Sequence, residues 1–368
     1  MPAVNLLIKP ASGICNMQCD YCFYCDEAEK RKQYSYGMMS ESTLQNVIRK
    51  TFLYAEHDCT IAFQGGEPTL IGLEFYEKVI EYVNKYNRKN ISVHFALQTN
   101  GFAVDEKWCE FFKENNFLVG LSIDGLQKTH DRFRHDHTGN GTYERVLATS
   151  KLFDSHQIEY NILTVVNSET AKNIVPIYKE FKANGWGYMQ FIPCLDPLGE
   201  TRGMKPYSLT PGLYGTFLTQ LFDLWYKDWK RDRQPYIRQF ENYVGILMGY
   251  LPESCEQRGI CGIQNVVEAD GGVYPCDFYV LDDFLLGNLN QNSMAEIQEK
   301  RKEIGFIERS RNHSEKCKNC RYFNICRGGC YRHREDEIDN YFCEGYYRFF
   351  EACYPKIEEV AKFLKMKK

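Results

Sequence analysis

No stretch of this chain approaches the ~18 consecutive apolar residues that a membrane-spanning helix needs. A strong charge of either sign is also missing: 45 Lys and Arg stand against 49 Asp and Glu, a net −4 over 368 residues. That balance gives no electrostatic case for nucleic acid or an anionic bilayer as a partner. Basic clusters such as Lys30-Arg31-Lys32 are short and read as solvated helix faces. No secretory leader is visible, because the apolar run Asn5–Ile8 is interrupted at once by Lys9 and Pro10, so a cytoplasmic protein is expected. Cysteine is nearly absent from the middle of the chain. Residues 26–254 hold only Cys59, Cys109 and Cys194, whereas four cysteines lie between Cys15 and Cys25 and nine between Cys255 and Cys353. A reducing compartment does not keep disulfides, so clusters of this kind point to metal binding or catalysis. Cys25, Cys59, Cys109, Cys194 and Cys353 fall outside the motifs below and read mostly as small buried hydrophobes.

What is present is an ordinary globular composition, 43% hydrophobic and 26% charged, long enough for one large domain and a smaller one. Strand-like runs at Asn5–Lys9, Thr60–Gln64, Ser92–Gln98, Leu118–Ile123, Tyr160–Val166 and Tyr188–Ile192 alternate with helical spacing. The helical segments are Glu41–Ala55, Leu73–Tyr86, Asp105–Glu114, Tyr143–Ser155 and Thr170–Ala183, with Ser40 and Ser168 as caps. Six such units predict an α/β fold with a parallel sheet, either a partial barrel or a doubly wound sheet. Polar and glycine residues follow the strands: Gln64-Gly65-Gly66-Glu67-Pro68, Gln98-Thr99-Asn100-Gly101, Ser122-Ile123-Asp124-Gly125 and Pro193-Cys194-Leu195-Asp196-Pro197. Residues 209–250 read as an aromatic bridging helix. After Cys255 the chain turns cysteine-rich, with a hairpin signal at Asp270-Gly271-Gly272, and reads as a domain folded around metal more than around a core. The expected division is 1–235 and 236–368.

Cys15, Cys19 and Cys22 form C-x3-C-x2-C, which suits three irons of a [4Fe–4S] cube and leaves the fourth iron open to an outside ligand. A fourth thiolate from Cys25 would close the site, and zinc sites more often show paired C-x2-C arms with a longer spacer. Near the other end Cys317, Cys320, Cys326 and Cys330 form C-x2-C-x5-C-x3-C. Assigning Cys330 to Cys255, Cys261 and Cys276, and Cys343 to Cys317, Cys320 and Cys326, gives two closed four-thiolate sets. Zinc ribbons use the same arms, so spacing alone leaves iron–sulfur and zinc both open there.

The first cysteine motif, with Tyr21 before its last member and placed after a first strand, resembles the radical S-adenosylmethionine superfamily. Gly65-Gly66-Glu67-Pro68 resembles its GGE motif. Cys261, followed after nine residues by Gly271 and after four more by Cys276, then the C-x2-C-x5-C-x3-C run and Cys343, resembles its SPASM extension. Within that group LLIKPASGICNMQCDYCFY, FQGGEPTL, LQTNG, GLSIDG and VYPCDFYV look most like the anaerobic sulfatase-maturating enzymes. The resemblance implies a partial (β/α)6 barrel with a C-terminal SPASM domain and three [4Fe–4S] clusters, one binding S-adenosylmethionine and two auxiliary. It implies that a 5′-deoxyadenosyl radical takes a hydrogen from the β-carbon of a cysteine or serine in an unfolded sulfatase polypeptide bearing a C/S-x-P/A-x-R-type motif, giving Cα-formylglycine. A flavodoxin or ferredoxin-type reductant would supply electrons.

By the same resemblance Tyr21, Gly66, Ser122, Arg134 and Leu195 match cofactor-contacting positions, with Gly65 and Glu67 beside them, and Asp277 matches a proton acceptor. Gly65 and Gly66 would let backbone approach a ligand closely, though a plain strand-to-helix turn also explains them. Ser122 would meet a ribose or cap a turn. Arg134 would pair with a carboxylate, against the alternative of a solvated polar segment, DRFRHDHTG. Asp277 would act as a base beside an electron acceptor or merely cap a turn. Tyr24, Gln64 and Gln98 are candidates for holding the substrate peptide, or buried hydrogen-bonded groups. The competing reading is another SPASM peptide maturase that forms a thioether or cross-link, separable by its product.

Overall fold

β-branched and aromatic runs with period-2 burial place strands within one or two residues of the expected positions. The computed structural model describes residues 3–367. Its six successive strands are β1 (Val4–Ile8), β2 (Asp58–Phe63), β3 (Ser92–Thr99), β4 (Phe117–Ser122), β5 (Tyr160–Val166) and β6 (Tyr188–Pro193); β7 (Asn265–Val267) and β8 (Gly272–Tyr274) come later. The helices used below are α1 (Phe23–Glu29), α2 (Glu41–Tyr54), α3 (Leu73–Tyr86), α4 (Glu106–Glu114), α5 (Tyr143–His156), α6 (Ile174–Ala183), α7 (Pro211–Trp229) and α8 (Cys343–Met366). Ser40 caps α2 as expected, its hydroxyl accepting the Thr43 N–H at 3.2 Å. By contacts the chain forms two units. One comprises the chain through Ser122 with Arg134–Tyr160 and Ile263–Phe306; the other comprises Ile123–Phe133, Asn161–Gly262 and the chain from Ile307.

In the first unit β1, β2, β3 and β4 pair in parallel and in sequence order. The other edge of β1 is occupied by β7, also parallel, with Leu6 opposite Asn265. β8 returns antiparallel to β7 through the glycine turn, where Gly271 takes φ +89° and donates its N–H to the Glu268 carbonyl. The hairpin was expected in a segment organised by metal. It instead extends the sheet, because Val266, Tyr274 and Val280 form an apolar cluster against Leu7. This pairing carries Cys276 and Asp277 into the first unit.

In the second unit β5 and β6 are parallel, and Tyr236–Ile237 adds beside β6. The helix expected from Thr170 to Ala183 is broken. Residues Ser168–Lys172 form one short helix and α6 begins after Asn173. Pro176 explains the break, since in a continuous helix it would lack a donor for the Lys172 carbonyl and clash with it. Asn167, not Ser168, is the cap: its side chain accepts the N–H groups of Glu169 and Thr170 at 2.9 Å, and Ser168 donates to the Pro206 carbonyl instead. The aromatic 209–250 segment is likewise two helices, α7 and Arg238–Met248, with Trp225 Nε1 donating to Pro235 O at 3.0 Å across the turn. α7 crosses α8 at Gly215 and Gly345, where a Cβ on Gly215 would stand 2.8 Å from Gly345 Cα. Phe222 packs edge-on to Phe349 beside that crossing.

Candidate active site

The loop between β1 and α1 carries Cys15, Cys19 and Cys22. Met17–Cys19 forms a short strand antiparallel to Arg134–Asp136, which sets Cys19 opposite Arg134. Arg134 is therefore buried, 7% exposed, and not part of a solvated segment. Its Nη1 donates to Tyr21 Oη at 3.1 Å. N–H donors approach the Cys15 sulfur: Met17 N at 3.4 Å and Asn100 Nδ2 at 3.6 Å. Burial pushes the free Cys15 thiol up to about 11, so a charged thiolate there needs a cation. Cys22 stands at the N-terminus of α1. A hydrogen bond from the Cys25 thiol holds its ionisation below the usual thiol range, and the same contact raises that of Cys25.

Glycine in the strand-end turn answers to the chain itself. A Cβ on Gly66 would lie 2.0 Å from the Ile14 carbonyl oxygen, and the Gly66 and Glu67 N–H groups donate to Ser12 O and Ile14 O. Glu67 is 1% exposed and its carboxylate is occupied. Oε1 accepts from Thr69 N, Thr69 Oγ1 and Thr99 Oγ1, and Oε2 accepts from Asn100 N at 2.8 Å. This carboxylate clasps the ends of β2 and β3 together. Ser122 ends β4 half-buried, Leu195 follows β6 half-buried in the second unit, and Gln98 lies half-buried on β3 with no side-chain hydrogen bond among the described residues.

Three of the candidates converge on Asp277. Tyr24 Oη donates to its Oδ2 at 2.6 Å, Gln64 Nε2 donates to the same oxygen at 3.0 Å, and Gln64 also donates to Tyr24 Oη. Asp277 Oδ1 is buried with no hydrogen-bond partner among the described residues. Burial raises the acid's pKa, while Lys9 and the Tyr24 hydroxyl oppose the rise. A carboxyl anchored by one oxygen, with the other free, is oriented for proton transfer. It does not cap a turn.

Lys9, Arg31, Glu268 and Glu27 were not singled out in the sequence. Lys9 Nζ lies 3.2 Å from Glu268 Oε1 and 4.6 Å above the Tyr24 ring. Arg31 Nη1 is 3.4 Å from Glu268 Oε2, which also accepts from Ser12 Oγ at 2.6 Å. Arg31, read as part of a solvated face, is thus 7% exposed; α1 ends at Glu29, and the chain then turns Arg31 inward. Glu27, 2% exposed, accepts the Val280 N–H, and burial pushes its carboxyl up to about 8. Nothing in the local sequence marks a pair as distant as Lys9 and Glu268.

In the second unit the cysteines fall into two neighbourhoods. Cys255 and Cys261 surround Cys330, whose thiol burial raises well above the ordinary range. Cys317, Cys320 and Cys343 surround Cys326, pushed up to about 12 by burial. Cys276, in the first unit, acts on the buried Arg301 guanidinium, whose Nη2 donates to Gln264 O and Asn265 Oδ1. Among the described residues no three His, Cys, Asp or Glu side chains converge as one metal ion requires. The fit to iron–sulfur clusters rests on donor chemistry: grouped, mostly half-buried cysteines, N–H groups aimed at the Cys15 sulfur, and nearby cations.

Residues 10–181 match the radical SAM superfamily and residues 260–321 match SPASM, an iron–sulfur cluster-binding domain. The chain is 46% identical over 369 residues to a cysteine-type anaerobic sulfatase-maturating enzyme of Clostridium novyi, covering 99% of each. It is 30% identical to a serine-type anaerobic sulfatase-maturating enzyme of Bacteroides thetaiotaomicron, covering 98% of this chain and 91% of the relative. Among solved structures, native anSMEcpe with bound AdoMet and Cp18Cys peptide superposes with a TM-score of 0.94 at 43% identity, over 99% of this chain and all of the other. The fold is accordingly the α/β partial barrel of six repeats followed by a cysteine-rich SPASM extension.

Proposed function

The chain belongs to the anaerobic sulfatase-maturating enzymes of the radical SAM superfamily, and from that premise we propose that it oxidises a cysteine (or serine) of a sulfatase polypeptide to Cα-formylglycine. When bound, S-adenosylmethionine and three [4Fe–4S] clusters supply the one-electron chemistry that removes a hydrogen atom and then an electron from the substrate β-carbon. The chain's own residues do the rest. Cys15, Cys19 and Cys22 hold the first cluster, and Tyr21, Gly66, Ser122, Arg134 and Leu195 contact the cofactor. Gly65 and Glu67 shape that turn. Cys255, Cys261, Cys276 and Cys330 hold one auxiliary cluster, and Cys317, Cys320, Cys326 and Cys343 the other. Gln98 and Gln64 face the peptide.

The observation that carries this reading is Asp277. Its Oδ2 is fixed by Tyr24 and Gln64, its Oδ1 has no partner among the described residues, and it directly follows a proposed cluster ligand. Asp277 Oδ1 accepts the proton of the substrate thiol as its β-carbon is oxidised. Tyr24 and Gln64 keep that oxygen aimed and free of other donors. The substrate carries a C-x-P-x-R-type motif, a flavodoxin or ferredoxin-type protein supplies electrons, and the reaction takes place in the cytoplasm. No helix among the described residues is long and apolar enough to cross a membrane. The motif-bearing segments divide near residue 235.

The test is anaerobic reconstitution followed by mass spectrometry of a cysteine-containing sulfatase peptide. Exchange of thiol for aldehyde, trapped by a hydrazine, is the expected outcome. A cross-linked or thioether-bridged peptide would replace this reading with the other maturase chemistry.

A further inference from the structure

Arg334 is 6% exposed, and its guanidinium is surrounded by backbone. Nη1 donates to Ser310 O at 2.8 Å and Asn312 O at 2.7 Å; Nη2 donates to Gly259 O at 2.9 Å and Gly329 O at 3.3 Å. These carbonyls belong to the loops that carry cysteines. Gly259 precedes Cys261, whose N–H donates to Ser310 Oγ at 3.0 Å; Gly329 adjoins Cys330; Asn312 leads to Cys317. Among the described residues Arg334 forms no ion pair with a carboxylate, its Nε has no hydrogen-bond partner, and its guanidinium lies 5.7 Å from the centre of the Tyr331 ring. The thiols of Cys261, Cys330 and Cys317 act on the guanidinium electrostatically, while burial disfavours its charge. Cys261 and Cys330 belong to one four-cysteine set and Cys317 to the other.

A buried guanidinium without a counter-ion is costly, and carbonyl dipoles offset only part of that cost. A cube ligated by four thiolates carries net negative charge, and its potential responds to nearby charge and hydrogen bonding. We propose that Arg334 is the shared counter-charge of the two auxiliary clusters, a positioning residue that raises the reduction potential of both and so favours their accepting the substrate's electron. This rests on the reading above that the eight cysteines hold two clusters.

The experiment uses the full chain with Cys15, Cys19 and Cys22 changed to Ala, so that only auxiliary clusters remain. Iron and sulfide are counted after anaerobic reconstitution, and both potentials are read by redox titration followed by electron paramagnetic resonance. Arg334→Gln is expected to lower the equilibrium constant for reduction of both clusters about tenfold, a shift of about 59 mV for a one-electron couple. Arg334→Lys, which keeps the charge but not the fork, is expected to recover most of that shift. Unchanged potentials in a fully loaded Arg334→Gln protein overturn the inference, as does a shift in one cluster alone or an equal shift in Arg334→Lys. Loss of iron in both variants assigns Arg334 to holding loops together and overturns it too. Absence of iron from the parent protein would instead overturn the cluster reading itself, so the two failures are distinguishable.

Discussion

Each unit buries several cations, and the Lys9–Arg31 pair of the first is held differently from the arginine cluster of the second. In the first, Lys9 and Arg31 converge on Glu268, and all three are nearly or wholly buried. In the second, the hydrogen bonds of Arg202, Arg332 and Arg334 go to carbonyls: Arg202 to the backbone of residues 332–334, Arg332 to Asp196 O, and Arg334 to the four described above. His333, lying among them, is held neutral by burial and by Arg202 and Arg332, its pKa lowered to about 3. An uncompensated ion in a protein interior costs several kcal/mol. At Lys9 and Arg31 the first unit meets that cost with a carboxylate of its own, whereas its buried Arg301 donates to Gln264 O and Asn265 Oδ1. Around Arg334 the second meets it with carbonyl dipoles beside the thiols of Cys261, Cys330 and Cys317, while the carboxylates of Glu335 and Asp196 act on Arg202. The first arrangement lies beside Asp277, on which Lys9 and Glu268 act, and the second sets a guanidinium among cysteine-bearing loops.

The sharpest way to break this contrast is Glu268→Gln. It removes the carboxylate that forms ion pairs with both Lys9 and Arg31, leaving Glu27 as the acid that still acts on both. We expect a loss of about 3–5 kcal/mol, read by denaturant unfolding and equal in iron-free and iron-loaded protein. A loss seen only in loaded protein would show that the first unit, too, depends on its cargo.

Next in size is Asp277→Asn. It keeps an oxygen for the Tyr24 hydroxyl but removes the base, so formylglycine yield is expected to fall at least about 100-fold. Iron content and uncoupled S-adenosylmethionine cleavage should stay near parental levels. Wild-type yield would remove Asp277 from the reaction.

A smaller effect separates Glu27 from the ion pairs above it. Its folded-state pKa of about 8 exceeds the ordinary 4.5, so the folded chain retains a proton that the unfolded chain releases. Its contribution to stability is full below pH 4.5 and falls as pH rises through 8. Glu27→Gln should flatten the stability profile across that window, and an unchanged slope would place the titration elsewhere.

Local chemistry made much of this molecule legible before any coordinates. β5 begins and ends where its Tyr160–Val166 run does, α3 spans the Leu73–Tyr86 segment expected, and Ser40 caps α2. The features that were not legible depend on partners far apart in sequence. β7 pairs with β1 across more than half the chain, and with the β8 hairpin that pairing brings Asp277 to Tyr24 and Gln64. Arg31 looked solvated because its neighbours Lys30 and Lys32 are, and only the fold reveals Glu268 beneath it. The break before α6 was readable from Pro176, but the apolar spacing on both sides of it masked the signal.

The smallest effect concerns Cys25, one turn beyond Cys22 on α1. Its side chain is exposed, and its thiol donates a hydrogen bond to the Cys22 sulfur. A cluster bound through Cys15, Cys19 and Cys22 takes over the Cys22 sulfur as a thiolate, so the Cys25 thiol adds one weak donor to a bond already formed. Cys25→Ala should keep full iron content and change stability by less than about 0.5 kcal/mol, as exposed substitutions usually do. Cys22→Ala should lose the first cluster altogether. If iron falls equally in both, the site is closed by four thiolates, and no iron is left open for a cofactor.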